Sequence, residues 1–127
     1  MPQSPNRKVL VADDERAIAV TLAAILTRSG FETRTVYSGE AAVEMAEHFR
    51  PDMLITDVVM RGISGIEAAI QISGLLPACK ILLFSGQAET VDLLEQARIR
   101  GYDFEILAKP VHPQDLLARL RSAAVAA

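Results

Sequence analysis

Short runs of apolar residues alternate five times with longer segments whose apolar residues recur at helical spacing. The runs occupy residues 8–12, 33–36, 53–56, 80–84 and 105–108. The third and fourth, MLIT and KILLF, carry apolar residues at successive positions, as parallel strands do when helices cover both faces. Ile18, Leu22 and Leu26 show the helical spacing of the intervening segments. Five strand–helix alternations predict an α/β fold, a doubly wound parallel sheet with right-handed crossovers.

Glycine and serine mark the predicted helix ends. Gly30, Gly74 and Gly101 each stand where a helix is expected to stop, since glycine adopts the left-handed C-cap conformation without steric cost. Ser38 is expected to cap the second helix at its start. Ser64 begins the sequence SGIE, which has the form of a capping box and predicts the start of the third helix.

Length and composition predict one globular domain spanning residues 1–127, with its core at about 7–122. Half of the residues are apolar, which is enough for a proper core. The formal charge of −3 argues against nucleic-acid binding, which favours a basic face. The single Cys79 has no intrachain partner and is expected to be a small buried residue, so a reducing cytoplasm is the predicted compartment. No apolar run approaches the roughly 20 residues that span a membrane.

Polar residues with chemical potential follow four of the five predicted strands. Asp13 and Asp14 follow the first strand, Asp57 the third, Ser85 the fourth and Lys109 the fifth. In a doubly wound sheet, ligands bind beyond the carboxyl ends of the strands, so these side chains are expected to meet at one edge. Clustered carboxylates repel one another unless a cation lies among them, and oxygen ligands favour Mg²⁺. With a lysine and a hydroxyl donor, such a site can neutralise a transferring phosphoryl group, and a carboxylate there can be its nucleophile.

Most of these residues also have an ordinary structural interpretation. Asp13 and Asp14 precede a helix, where carboxylates cap free N–H groups and suit the helix dipole. Ser85 before a glycine is typical turn chemistry, and a lysine at a strand end is usually a solvated charge. Asp57 has no comparable structural role, because the next cap is expected only at Ser64. The combination is therefore more specific than its members.

The sequence resembles the receiver domains of two-component signalling over nearly its whole length. That resemblance implies a flavodoxin-like sheet of strand order 2-1-3-4-5 with five helices, as in CheY. It also implies a phosphoacceptor rather than an enzyme with an external substrate, one that assists its own phosphorylation and dephosphorylation. The expected donor is a sensor histidine kinase or a phosphotransfer protein, so neither His48 nor His112 is needed as a donor. The resemblance rests on Asp13, Asp14, Asp57, Ser85, Lys109 and Pro110.

Carried over position by position, the resemblance assigns roles to the strand-end residues. Asp57 would accept the phosphoryl group. Asp14 and Asp57 would bind Mg²⁺ (or Mn²⁺) directly, Asp13 mostly through water, and the backbone carbonyl of Val59 would complete the protein's ligands. Residues contacting the arriving phosphoryl group would be Ser85 and Lys109.

Two departures from the family pattern affect the loop after the acceptor and the output side. The usual Met-Pro-Gly is Met60-Arg61-Gly62 here, which frees the loop backbone and adds a cation. Three residues before Lys109, many receivers have Tyr or Phe, whereas this chain has Ile106. Output through the fourth helix and fifth strand is therefore expected to differ from the common scheme. The last two strands, together with their helices, are a candidate homodimer surface.

Three alternative functions were compatible with this type of fold. A pseudo-receiver would bind a protein partner without phosphorylation, and the missing aromatic residue favours it mildly. A haloacid-dehalogenase-type phosphatase needs a second Asp at the position of Val59. A flavodoxin-like nucleotide binder needs a Ser/Thr/Gly-rich phosphate loop after Val11, where the sequence instead continues ADD. The complete set of acidic, hydroxyl and lysine positions favours the phosphoacceptor.

Overall fold

A computed structural model describes residues 7–86, 90–102, 104–108 and 112–125. Five strands and five helices alternate along the chain, as the sequence pattern predicted. The strands are β1 (Lys8–Ala12), β2 (Glu32–Val36), β3 (Met53–Asp57), β4 (Lys80–Ser85) and β5 (Glu105–Ala108). The helices are α1 (Arg16–Arg28), α2 (Gly39–Phe49), α3 (Gly65–Leu75), α4 (Thr90–Ile99) and α5 (Pro113–Val125).

All strands are parallel and form one sheet of order β2-β1-β3-β4-β5. The fold class and strand order are therefore confirmed. The order reverses at β1, which lies between β2 and β3. This arrangement brings the carboxyl ends of β1 and β3 side by side, at the position where doubly wound sheets bind their ligands.

Two apolar clusters cover the two faces of the sheet. Successive residues of β1 point to opposite faces, so Val9 and Val11 belong to one cluster and Leu10 to the other. The first cluster includes residues of α1 and α5, and the second includes residues of α2, α3 and α4. The central strand β3 is buried along its whole length. Its continuous apolar sequence is thus explained by burial on both faces.

The helix ends agree with the predicted caps except at one glycine. The hydroxyls of Ser38 and Ser64 each accept a bond from the backbone N–H three residues later, both at 3.1 Å. Gly30 and Gly101 have positive φ values of 99° and 96°, as left-handed caps require. The prediction for Gly74 is wrong, because α3 continues through it and ends at Leu75. The helix thus ends one residue after Gly74, with Leu76 rather than a glycine as its C-cap.

Cys79 lies directly before β4 and is partly buried rather than fully buried. Burial, with a smaller contribution from the Asp52 carboxylate, raises the pKa of its thiol to about 12. His48 and His112 are both exposed, as expected of surface residues. Among the helices that the structure describes, none has the length and apolarity needed to cross a bilayer.

Candidate functional site

Three carboxylates meet at the carboxyl edge of the sheet, where β1 and β3 end. Asp57 is the last residue of β3, and Asp13 and Asp14 follow β1 directly. One carboxylate oxygen from each residue lies within 4.8 Å of the others. Asp13 is fully buried, Asp57 is 8% exposed and Asp14 is partly exposed. The predicted meeting of these side chains therefore occurs.

The backbone after β1 holds Asp13 in place from two directions. Its N–H donates to the carbonyl of Val36 at 3.2 Å, and its Oδ1 accepts from the N–H of Glu15 at 3.0 Å. The N-cap of α1 is Glu15, whose side chain makes no capping bond. The helix-capping interpretation thus holds in part, since Asp13 accepts a bond from the N-cap residue without itself being the cap. Its second carboxylate oxygen, Oδ2, takes no part in that bond.

The three carboxylates lie close enough to repel one another strongly, and a bound cation would relieve this repulsion. Two full negative charges 4.8 Å apart repel by about 3.5 kcal/mol at an effective dielectric constant near 20. Hard oxygen donors suit Mg²⁺, which commonly binds one or two protein carboxylates directly and keeps several waters that further carboxylates can contact. The residues present therefore fit a divalent cation held by Asp13, Asp14 and Asp57.

The fourth strand brings Ser85 to the same edge. In the β3–β4 register Asp57 pairs with Phe84, so Ser85 stands one residue further along the neighbouring strand. Ser85 is half-buried and pairs with Ala108, the last residue of β5. Lys109, which follows directly, lies outside the described residues, as does Pro110. The hydroxyl predicted for this site is thus at the expected strand end.

The loop after the acceptor, residues 58–64, is anchored at both of its ends. The N–H of Val58 donates to the carbonyl of Phe84 at 3.1 Å, and the carbonyl of Val58 accepts from Gly65 at 2.8 Å. Val59 follows at once, with its side chain 40% exposed. Arg61, which replaces the usual proline, is exposed. The loop is therefore fixed at both ends by backbone hydrogen bonds, while Arg61 lacks the dihedral restraint that a proline would supply.

Sequence reasoning missed the role of Gly65 in supporting Asp57. A Cβ at Gly65 would collide with the Asp57 carbonyl oxygen and would lie 3.0 Å from Thr56 Oγ1. The Thr56 hydroxyl in turn donates to that same carbonyl at 3.0 Å. A glycine at the first position of α3, directly after the cap, was the available signal, because no helical preference favours it there.

The output side of the sheet carries aromatic residues, but not at the usual position. Ile106 pairs with Leu83 on β4 and packs, partly buried, against the cluster beneath α4. Tyr102 and Phe104 pack against the same cluster and stack on each other, with ring centroids 5.8 Å apart and planes inclined by 22°. The aromatic surface near α4 is therefore supplied from before β5, two and four residues ahead of Ile106.

Comparison with known proteins agrees with this geometry. Residues 9–121 match the family model described as the response regulator receiver domain. The chain is 32% identical over 117 residues to the alkaline phosphatase synthesis transcriptional regulatory protein PhoP of Bacillus subtilis, covering 92% of this chain and 48% of that protein. It is 34% identical over 114 residues to the transcriptional regulatory protein CreB of Escherichia coli, covering 90% and 49%. It thus spans about half the length of these relatives. A crystal structure of a receiver domain protein from Clostridium thermocellum superposes with a TM-score of 0.82 at 29% identity, covering 92% and 93%.

Proposed function

Because the chain belongs to the response regulator receiver domain family, we propose that it accepts a phosphoryl group on Asp57 from a histidine kinase or a phosphotransfer protein. The observation that carries this proposal is the acidic cluster. Asp57 is almost fully buried, lies at the end of the central strand, and has two further carboxylates within 4.8 Å. Membership of the family makes the chain part of the two-component response regulators, whose receiver domains are phosphoacceptors.

In the proposed reaction, a carboxylate oxygen of Asp57 attacks phosphorus and forms an acyl phosphate. The bond between phosphorus and the donor imidazole nitrogen breaks, and its electron pair stays on that nitrogen. Asp57 is 8% exposed, which restricts bulk water near it, and its place at the end of β3 beside Asp13 and Asp14 positions its carboxylate for transfer. Orientation of this kind supplies much of the rate enhancement in phosphoryl transfer, which requires little other covalent chemistry from the protein.

The proposed cation is Mg²⁺ or Mn²⁺, held by Asp13, Asp14, Asp57 and the backbone carbonyl of Val59. When bound, it neutralises carboxylate and phosphoryl oxygens that would otherwise repel one another. The Oδ1 of Asp13 accepts from the Glu15 N–H at 3.0 Å, and this bond restrains the orientation of the Asp13 carboxylate in the set.

Ser85 and Lys109 are the proposed contacts of the phosphoryl group after transfer. Ser85 ends the strand next to Asp57, where its hydroxyl can donate to a phosphoryl oxygen. In the sequence, Lys109 follows Ala108, the last residue of β5, and Ala108 pairs with Ser85 in the sheet register. An inward movement of Ser85 would shift the following loop and α4, because the added contacts exist only in the phosphorylated form.

We also place residues 1–127 in one receiver domain with its core at about 7–122, working in the cytoplasm. The class is a phosphoacceptor that assists its own phosphorylation and hydrolysis, rather than an enzyme with an external substrate. The printed names of the relatives describe transcriptional regulators, which is consistent with a receiver that controls an effector. The last two strands, β4 and β5, with their helices α4 and α5 are the proposed surface of self-association, and output is proposed to pass through α4 and β5.

The experiment is intact-mass measurement after incubation with acetyl phosphate, comparing the parent chain with Asp57→Asn, each with Mg²⁺ and with EDTA. We expect one phosphoryl mass gain in the parent with Mg²⁺, none with EDTA and none in the variant. The asparagine is nearly isosteric with Asp57, so circular dichroism should show an unchanged fold. A folded parent that gains no mass and binds no cation would favour the pseudo-receiver. A mass gain that persists in Asp57→Asn would place the acceptor elsewhere.

A further inference from the structure

Helix α2 contacts the loop that follows the candidate acceptor, through a residue 23 positions earlier in the chain. The Glu40 carboxylate oxygen Oε2 accepts a hydrogen bond from the backbone N–H of Ile63 at 3.1 Å. Glu40 lies in the first turn of α2, which Ser38 caps. A capped helix terminus is a rigid base, so the Glu40 side chain starts from a fixed position.

Two glycines allow this close approach between α2 and the loop. A Cβ at Gly39 would lie 2.5 Å from Ile63 Cγ1 and 2.6 Å from the Ile63 carbonyl oxygen. At Gly62 a Cβ would collide with the Glu40 carboxylate, and its φ of 75° favours glycine in any case. The absence of a Cβ at both glycines therefore permits the short distance between α2 and the loop, in addition to the hydrogen bond that Glu40 makes.

The contact acts on the middle section of the loop, which also contains the buried side chain of Met60. Val58 and Gly65 fix the two ends by backbone hydrogen bonds. Between them, Arg61 stands where the family pattern has proline, so the backbone there has one more free dihedral angle. The Glu40 bond to Ile63 falls in this middle section and supplies a restraint from outside the loop.

We propose that Glu40 is a positioning residue for the cation site. By holding Ile63, it keeps the 58–64 loop in the conformation that presents the backbone carbonyl of Val59 to the cation. The proposal rests on the proposed function, because Val59 belongs to the ligand set carried over from the family. Glu40 itself does not touch the cation in this proposal, since it acts through the loop backbone.

Substitutions of Glu40 can separate the effect of its hydrogen bond from the effect of its negative charge. Glu40→Gln removes the charge but keeps an amide oxygen at the same reach, which can still accept from Ile63. Glu40→Asp keeps the charge but withdraws the carboxylate by one methylene. Glu40→Ala removes both. Glu44→Ala, an exposed glutamate one turn further along α2, is the matched control for loss of a negative charge from this helix.

The experiment is titration calorimetry of each purified chain with magnesium chloride alone, repeated with manganese chloride, without any phosphodonor. Loss of a residue that orients a metal ligand typically weakens affinity 10- to 100-fold, and Glu40 acts at one further remove, so we expect about a threefold to tenfold rise in Kd for Glu40→Ala and Glu40→Asp. Glu40→Gln and Glu44→Ala should stay within about twofold of the parent.

Each result decides between position, charge and no role. Unchanged affinity in Glu40→Ala and Glu40→Asp would overturn the proposal. So would equal weakening in Glu40→Gln and Glu40→Ala, because charge would then explain the effect. If Glu40→Ala does not fold, the Gln and Asp variants still decide. A parent chain that binds neither cation would instead count against the proposed function.

Discussion

Removing one charge from the acidic cluster should stabilise the protein in the absence of metal. The change is Asp13→Asn, at a fully buried carboxylate whose Oδ1 accepts from the Glu15 N–H. Asparagine retains an Oδ1 that can accept that bond, so the variant changes charge more than geometry. We expect the metal-free variant to unfold at a higher temperature than the parent.

The magnitude follows from the distances in the cluster. With oxygens within 4.8 Å of one another, each pair of charges repels by about 3.5 kcal/mol at a dielectric constant near 20, so Asp13 takes part in roughly 7 kcal/mol of repulsion. Most of this is offset, since water screens the half-buried Asp14 and an amide makes weaker hydrogen bonds than a carboxylate. We expect a net gain of about 1–2 kcal/mol, or about 4–8 °C in Tm for a chain of this size.

Magnesium should narrow this difference. At ten times Kd, a bound ion stabilises the native parent by about 1.4 kcal/mol, and the variant, with one ligand weakened, gains less. The assay is a thermal melt followed by circular dichroism in EDTA and in increasing Mg²⁺. Asp52→Asn is the control, because the Asp52 carboxylate also accepts a backbone N–H, that of Lys8 at 2.9 Å, but precedes β3. It should gain no stability in EDTA and keep the full response to Mg²⁺.

The reasoning would be refuted by a metal-free Asp13→Asn chain that melts at or below the temperature of the parent. In that case the interactions made by the Asp13 carboxylate would outweigh its repulsion with the other two acids. An equal rise in Tm for Asp52→Asn would also refute it, since the effect would then come from loss of net negative charge anywhere on the chain.

Two further predictions concern positions outside the acidic cluster. Gly65→Ala should lower the free energy of unfolding by about 2–3 kcal/mol in urea titrations, because the added Cβ collides with the Asp57 carbonyl oxygen. Gly74→Ala is the control in the same helix: a Cβ there has nothing within 4 Å, so this change should raise the free energy of unfolding by about 0.5–1 kcal/mol. Equal effects at both sites would contradict the packing argument. Cys79 should react with iodoacetamide at pH 8 at least about 100-fold more slowly in the native protein than in urea, because burial raises the pKa of its thiol from 9.0 to about 12. The folded state holds that proton more tightly than the unfolded state, so the free energy of unfolding should fall as pH rises through 9 toward 12. Equal labelling rates in the native protein and in urea would contradict this, as would a free energy of unfolding that does not change over this pH range.

The strands and their edge were accessible from the sequence because burial on both faces leaves a continuous apolar run. Every predicted strand lies within one residue of the observed bounds, and β3 gave the clearest signal because it is buried throughout. The order of the strands came from the family resemblance, since periodicity alone contains no information on which strands pair. Gly74 marked the end of α3 to within one residue, but it is not the left-handed cap that its type suggested.

The acidic cluster could be predicted from the topology, but the backbone contacts that position the residues around it could not. Asp13, Asp14 and Asp57 were predicted together because parallel strands end at a common edge. The contacts of Glu40 with Ile63 and of Gly65 with Asp57 depend on how two helices pack against one loop. No periodic pattern encodes contacts between such distant backbone segments. Their only trace in the sequence was glycine at positions where a helix begins.

The strand order also separates the carboxylate cluster from the aromatic residues on the output side of the sheet. All three carboxylates come from the first 57 residues, on the adjoining strands β1 and β3. Ile106, which departs from the family pattern, and the stacked Tyr102 and Phe104 before it lie on and beside the edge strand β5. Substitutions at these three residues would therefore alter the β5 side of the sheet while leaving the carboxylate cluster between β1 and β3 in place.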